Sequence, residues 1–475
     1  MTWFRSPRTD RDFFFSAFLG VVALLPRLYV AIAWPREPVW DGHYYDFGAR
    51  RIAAGLGYSD GTTTWHPWCH WPVGYSGVLA AVYRVFGSGA HAATTFNAVA
   101  GALLAVFTHR LARYELSRWR ARAAGLLCAL YPGLVVYSAL VMTEPFSALA
   151  IVVAGWAFVR YREDRPALGA VLFGLALGFG TLIHPSFIAY APAVVFLFGE
   201  TVWSSLSLPL VRQSMIGAAI ATASAFLPVL PWTLRNCRVM DRCTLVSTNG
   251  GWNLAIGSFS RATGRFETLR SSDGCAVVTG QVQQDACWRD LALATIRSDP
   301  LRWLGLVPKK LAYTFDHESF QVEYLHEADP DRWPEERRRK GRGWLTGAHR
   351  ALLTAAAFAI VPRPASLRKG ARPVLALGLG LIVGALALAA WLLDSEPFYL
   401  LAVAIAVLGW VRKKPAAVGP VMRWALLSLL GTLVTHAVFF GEDRYHIVVT
   451  PILCILAAGL WRKHAEETPI LPHPT

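Results

Sequence analysis

A chain of 475 residues is long enough for two or three soluble domains, but 54% of it is apolar and only 16% charged. Soluble domains carry roughly a quarter charged residues, and the mean hydropathy of +0.38 agrees that this is a membrane protein with several spans. The formal charge of +15, from 46 Lys and Arg against 31 Asp and Glu, gives no nucleic-acid signal, because the basic residues form short clusters between apolar blocks instead of one stripe.

Apolar runs predict an all-α polytopic fold with spans near 12–33, 91–110, 122–141, 144–161, 166–184, 186–200, 214–233, 347–361, 373–393, 397–411, 424–440 and 445–461, about twelve in all. The runs at 186–200 and 397–411 are short enough to be interfacial or re-entrant instead. The first run is read as a retained span and not a cleaved signal, since Trp34-Pro35 follows it in place of a small-x-small site. Lys and Arg crowd alternate short loops: Arg5, Arg8 and Arg11, then Arg110 to Arg122, Arg160 to Arg165, Arg212, Arg363 to Arg372, Arg412 to Arg423, and Arg462 with Lys463. The opposite short loops at 142–143, 185 and 393–397 have none. By the positive-inside rule both termini are cytoplasmic, and segments 34–90 and about 234–346 face outward. The chain then divides into an amino-terminal transmembrane module (1–233, with outward loop 34–90), an outward loop region (234–346) and a carboxy-terminal transmembrane module (347–475). The run Glu335–Arg342, EERRRKGR, is most simply a solvated face or a lipid head-group contact.

Cysteine placement agrees with that topology. Cys128 and Cys454 lie in spans, whereas Cys69, Cys237, Cys243, Cys275 and Cys287 lie in the outward segments, as an oxidising periplasm permits. Cys237 with Cys243 and Cys275 with Cys287 is the shortest-loop pairing, one of three connectivities, and Cys69 makes the set odd. A zinc site is the lesser alternative, for there is no C-x-x-C.

Candidate chemistry gathers at the outward ends of the spans. The first outward segment begins Trp40-Asp41-Gly42-His43-Tyr44-Tyr45-Asp46 and becomes aromatic and His-rich at Trp65-His66-Pro67-Trp68-Cys69-His70-Trp71-Pro72; residues 73–86 then read as a short interfacial helix. Asp41 before Gly42 can be a turn or helix-capping residue. Beside an interfacial helix it can equally meet a substrate with a lipid tail and a polar head. Glu144, between two apolar runs with almost no loop, sits at the membrane boundary, where an ionisable group defaults to a functional role; Thr143 is the better capping candidate. His184-Pro185 ends a span, Arg235 ends another, and Glu442-Asp443-Arg444-Tyr445-His446 separates the last two. Arg235 and Arg444 have the geometry for phosphate forks, with snorkelling to head groups as the bland alternative. Two carboxylates, two Arg and several His over an aromatic wall suit an anionic, lipid-linked substrate and a proton-accepting base.

The order of these features resembles the GT-C superfamily of integral-membrane glycosyltransferases, and within it the bacterial proteins similar to protein O-mannosyltransferases and aminoarabinose transferases. The pieces that carry the resemblance are Trp40-Asp41 through Tyr58, Trp71-Pro72-Val73-Gly74-Tyr75, Thr143-Glu144-Pro145, Pro231-Trp232-Thr233-Leu234-Arg235-Asn236, Ser247 to Leu254 with Gly257, Asp299-Pro300 through Lys310, and Arg444-Tyr445-His446. The resemblance implies a sugar donor on a polyprenyl phosphate, membrane lipid surroundings, and an acceptor protein, lipid or glycan on the outer side of an inner membrane. Asp41 would be the general base, Glu144 would assist in the acceptor pocket, and Arg235 and Arg444 would hold the phosphate. Tyr45, His66, His70, His184, Tyr445 and His446 complete the expected binding set. No cofactor or metal is expected, since a lipid phosphate is already a good leaving group. Three departures stand out: Gly42 where a second acid often follows the first, His66 and His70 where Lys or Arg often precedes Trp-Pro, and His184-Pro185 in place of Arg-Pro. If His70 binds phosphate as a cation, activity falls as pH rises.

A transporter or lipid flippase is the competing class. It predicts ionisable groups at span centres and paired Gly/Pro-broken helices, whereas here polar groups collect at one face. A polysaccharide polymerase or ligase would share the lipid-linked substrate without an acid so soon after the first span. Helical periodicity near 288–296 and 303–315 predicts two helices in the second outward segment.

Overall fold

The computed structural model describes residues 7–34, 36–60, 66–197, 208–276, 280–361, 372–393, 397–411 and 419–459. Among them the regular structure is helical, joined by two isolated bridges, Ser59 with Pro67 and Arg265 with Gly441. The order is α1 (Pro7–Ala33), α2 (Trp40–Ala53), α3 (Val73–Phe86), α4 (Ala90–Ala112), α5 (Arg118–Leu130), α6 (Pro132–Val136), α7 (Glu144–Tyr161), α8 (Pro166–Thr181), α9 (Val194–Leu197) and α10 (Leu208–Val239). A set of shorter helices follows: α11 (Gly250–Ile256), α12 (Gln281–Ser298), α13 (Pro300–Gly305), α14 (Val307–Phe315) and α15 (Phe320–Ala328). The chain ends in α16 (Glu335–Ile360), α17 (Arg372–Leu393), α18 (Phe398–Val411), α19 (Pro420–Val438) and α20 (Thr450–Ala458). Trp65 and the basic residues Arg5, Arg363, Arg368, Lys369, Arg412, Lys413, Lys414, Arg462 and Lys463, used above for motif and orientation, lie outside the described residues.

Among the described residues four helices suffice by length and composition to cross a bilayer, Asp12–Ala33, Ala90–Ala112, Val211–Val239 and Pro420–Val438; the pair Arg118–Leu130 and Pro132–Ala139, bent by 49°, can make a fifth. Other predicted spans fall on shorter apolar helices. The run at 186–200 supplies no long helix among the described residues: Pro185–Tyr190 winds as a 3-10 turn and α9 has four residues, as prolines at 185 and 192 dictate. After α12 the expected second helix splits into α13 and α14, where Pro308 opens a new first turn. Disulfides join Cys237 to Cys243 and Cys275 to Cys287, the shortest-loop pairing, and leave Cys69 as a buried thiol. This loop packs back on the bundle at Gly257, where an added Cβ would strike the Phe439 carbonyl.

Two local devices hold the bundle. On α8, Gly174 and Gly178 lie so close to α10 that a Cβ at either would strike the carbonyls of Ala221 or Ala225, the small-residue packing that serves where burial from water does not drive association. On α1, Arg27 is fully buried. Pro132, two residues past the end of α5 at Leu130, has no N–H to offer the Cys128 carbonyl. Arg27 replaces it, donating to the carbonyls of Ala129 (2.5 Å) and Cys128 (3.0 Å). Gly101 makes the room, since its Cβ would lie 2.6 Å from the Arg27 Nε. A charged group inside the first apolar run is therefore a helix cap and not a transport site. Replacing Arg27 with Leu leaves those carbonyls without donors, and thermal unfolding of the detergent-solubilised protein should show a loss of about 1–3 kcal/mol. An unchanged midpoint would contradict the capping role.

Candidate active site

Asp41 owes its position to a strained start. Trp40, the first residue of α2, has φ +50°, a region that costs a non-glycine residue on the order of 1–2 kcal/mol. Its ring is held against Phe320 (5.5 Å) and Tyr324 (5.8 Å). Asp41 does not cap α2; no side-chain cap bond is made there. Instead its Oδ1 accepts from Trp71 Nε1 at 3.2 Å and its Oδ2 from an Arg444 terminal nitrogen at 2.7 Å. Trp71 is itself fixed by stacking on Tyr44, 3.9 Å between centroids at 16°.

Arg444 is where several helix ends meet. Its Nε lies 2.7 Å from Glu442 Oε2 and 3.9 Å from Glu144 Oε1. Its guanidinium also stands over the rings of Phe320 (5.0 Å) and Tyr445 (5.1 Å). Glu144 opens α7, is 5% exposed, and its Oε2 has no hydrogen-bond partner. One cation thus faces three carboxylates. They do not respond alike. Burial pushes the Asp41 carboxyl up, but Arg444 and the Trp71 bond outweigh it, so Asp41 stays below the usual carboxylate range. For Glu442 burial wins over the Arg444 charge and the carboxyl is raised.

Of the expected binding set, the structure brings several residues to this cluster. Tyr45 is buried on α2 edge-on to Tyr75 at 5.6 Å; burial, then the charges of Asp41 and Glu144, hold its hydroxyl well above its ordinary pKa. Tyr445 stacks on His436 (4.2 Å) and lies 3.4 Å from an Arg444 nitrogen. His70 contacts Trp71 at 4.4 Å and Trp252 at 5.6 Å. Burial takes its imidazole down to about 4 against the pull of Asp41, so with no anion beside it the ring is uncharged near neutral pH. His184 is hydrogen-bonded to Ser186 at 2.8 Å and stacked on Phe187.

Three expected residues are engaged elsewhere. Arg235 donates to the carbonyls of Tyr58 (2.7 Å) and Trp68 (3.0 Å) over the Trp232 ring, clamping the first outward segment to the end of α10. Exposed His66 pairs with Asp60 beside the Ser59–Pro67 bridge. His446 is fully buried, bonded to the Thr314 carbonyl (2.7 Å) and Glu318 (3.1 Å) and stacked on His349 at 3.8 Å. Sequence reasoning did not select Glu442 or the donor role of Trp71. Both stood within its quoted motifs, but spacing does not say which of three consecutive ionisable residues turns inward.

The missing second acid has a steric explanation. A Cβ on Gly42 would run into the Tyr324 hydroxyl and the Val141 carbonyl, so the position after Asp41 has no room for any side chain.

Residues 70–232, about a third of the chain, match the family described as dolichyl-phosphate-mannose-protein mannosyltransferase. Among curated proteins no match is found. Similar solved structures include the apo oligosaccharyltransferase of Archaeoglobus fulgidus (14% identity, 93% of this chain and 50% of that one, TM-score 0.45). ArnT from Cupriavidus metallidurans bound to undecaprenyl phosphate aligns at 14% identity over 93% of this chain and 77% of that one, with TM-score 0.38. The S. cerevisiae protein O-mannosyltransferase complex bound to the sugar donor aligns at 16% over 53% and 36%, with TM-score 0.40. The chain spans about half the length of the archaeal protein.

Two outcomes follow from the site. Gly42→Ala should displace Asp41 or Tyr324 at a cost of about 1–3 kcal/mol, read as a lowered unfolding midpoint together with lost activity. His70→Gln should leave the activity profile between about pH 5.5 and 8 unchanged in shape, because the wild-type ring is already neutral there; a lost acidic-side advantage would restore the cationic role. Over residues 70–232 this chain is similar to the family described as dolichyl-phosphate-mannose-protein mannosyltransferase.

Proposed function

We propose that the protein is a glycosyltransferase that moves a sugar from a polyprenyl-phosphate donor to an acceptor protein, lipid or glycan on the periplasmic side of the inner membrane, with both termini cytoplasmic. The observation that carries the reading is the Asp41–Arg444 pair set among Glu144 and Glu442. Asp41 is the general base: its carboxylate takes the acceptor proton, the acceptor oxygen bonds to the anomeric carbon, and the bond from that carbon to the phosphate oxygen breaks. The electron pair leaves with the lipid phosphate. Glu144, with one oxygen free of hydrogen bonds, orients the acceptor. The family match supports a lipid-phosphate sugar donor.

Arg444 serves two partners in this scheme. With the site empty it holds Asp41 at 2.7 Å, which depresses basicity. An arriving phosphate competes for the same guanidinium, so donor binding loosens the hold on Asp41 and raises its basicity when the acceptor must lose its proton. Polar groups gathered at one level, with Arg27 accounted for as a cap, favour this reading over a transporter.

Asp41→Asn should lower transfer by about 10²–10⁴-fold while the protein remains folded. Mass spectrometry of glycans and lipids in cells carrying wild-type protein, Asp41→Asn or none is the measurement, and full restoration of a missing modification by the variant would remove Asp41 from catalysis. The sign of the pH dependence is also set. A carboxyl held below its ordinary pKa is ionised at neutral pH, so Asp41 imposes an activity loss only on the acid side, as pH falls through the carboxylate range.

A further inference from the structure

The charged run Glu335–Arg342 takes no part in the carboxylate cluster. It forms the first turns of α16, and the helix face continuing from it lines a cavity of about 640 Å³ against α14 and α17. Positions 339, 343, 346, 347 and 350 recur every three or four residues and so share one stripe of α16. Arg339 and Arg350 mark its ends, with Gly343 and Gly347 between them. A Cβ added at either glycine would meet nothing within 4 Å; the glycines are not needed for packing, and their effect is to keep the cavity open. Lys309 faces the stripe from α14, with Asp316 and His317 just beyond that helix.

The charges do not cancel. Arg342 is paired with Glu323, and Arg350 donates to the Asp316 carbonyl at 2.9 Å beneath the Phe398 ring. Asp316, whose Oδ1 accepts from the Tyr399 N–H at 2.8 Å, leaves one negative charge in a lining that carries four basic side chains, Lys309, Arg339, Arg342 and Arg350. Arg339 and Lys309 have no acidic partner among the described residues. A cationic concavity of this size suits a phosphate diester, for which Arg supplies forked donors. The source is indicated by the rim. Trp391 closes the cavity from the end of α17, where Leu388, Leu392 and Leu393 are 60%, 72% and 66% exposed. An indole beside an exposed aliphatic surface is the pattern of a membrane–water interface.

We propose that this cavity binds the phosphate headgroup of an anionic membrane phospholipid, whose acyl chains lie along α17. The site is separate from the carboxylate cluster and goes beyond the proposed transfer reaction.

The test uses the full chain in nanodiscs containing phosphatidylglycerol and phosphatidylcholine, with bound lipid read by native mass spectrometry. Wild-type protein should retain phosphatidylglycerol in preference. Arg339→Gln should weaken that retention about tenfold through loss of one charge-assisted contact. Gly347→Leu, whose Cβ would meet nothing within 4 Å and whose side chain would occupy the cavity, should abolish it while leaving the unfolding midpoint at or above wild type. Equal retention of both lipids, or unchanged retention in both variants, overturns the proposal. Added glycerol 3-phosphate tests the lipid source: displacement at concentrations matching its phosphate alone overturns a lipid site in favour of a free phosphate site, and failure to displace supports it.

Discussion

The constraint on which the candidate site depends is one guanidinium held among three carboxylates from distant parts of the chain. Asp41 follows α1, Glu144 opens α7 and Glu442 follows α19, and Arg444 touches or approaches all of them. Removing charges from water costs several kcal/mol per ion, and breaking such a group leaves an uncompensated charge. The arrangement is therefore poor as a source of stability and strong as a requirement on geometry: four span ends must arrive at one level and in one order. Close packing deeper in the bundle, through the α8 glycines and the Arg27 cap, supplies rigidity that the polar cluster does not.

Much of this was legible in the sequence. Apolar runs located most helices, and α3 occupies the predicted interfacial segment 73–86. Asp41 and Glu144 stood out because an ionisable group at a membrane boundary is costly unless used or paired, and the fold does pair or approach both with Arg444. What failed to show was the destination of each donor. Arg235 and Arg444 look alike as lone arginines at span ends. One finds loop carbonyls and the other finds carboxylates, and only the path of the chain through Tyr58 and Trp68 separates them. His446 is a similar case. It follows Arg444 by two residues, yet the 3-10 turn Tyr445–Val449 carries it away from Asp41 to Glu318 and His349.

The loop just before that turn explains how the two halves of the site are kept in register. Asp443 accepts from the backbone N–H groups of Ser319 and Phe320 and from the Ser319 hydroxyl, seating the start of α15 against the loop after α19. Phe320 is thereby fixed beneath Arg444 and beside Trp40. Trp40 in turn holds the left-handed backbone that aims Asp41. The path runs from Asp443 through α15 to Trp40 and Asp41, and closes through the Asp41–Arg444 bond one residue from where it began. A closed ring of contacts of this kind resists displacement of any one member, because each would have to move against two neighbours. Asp443 thus contributes to the position of Asp41 without touching it, and the strain at Trp40 persists because the aromatic contacts on its far side leave it no other place to go.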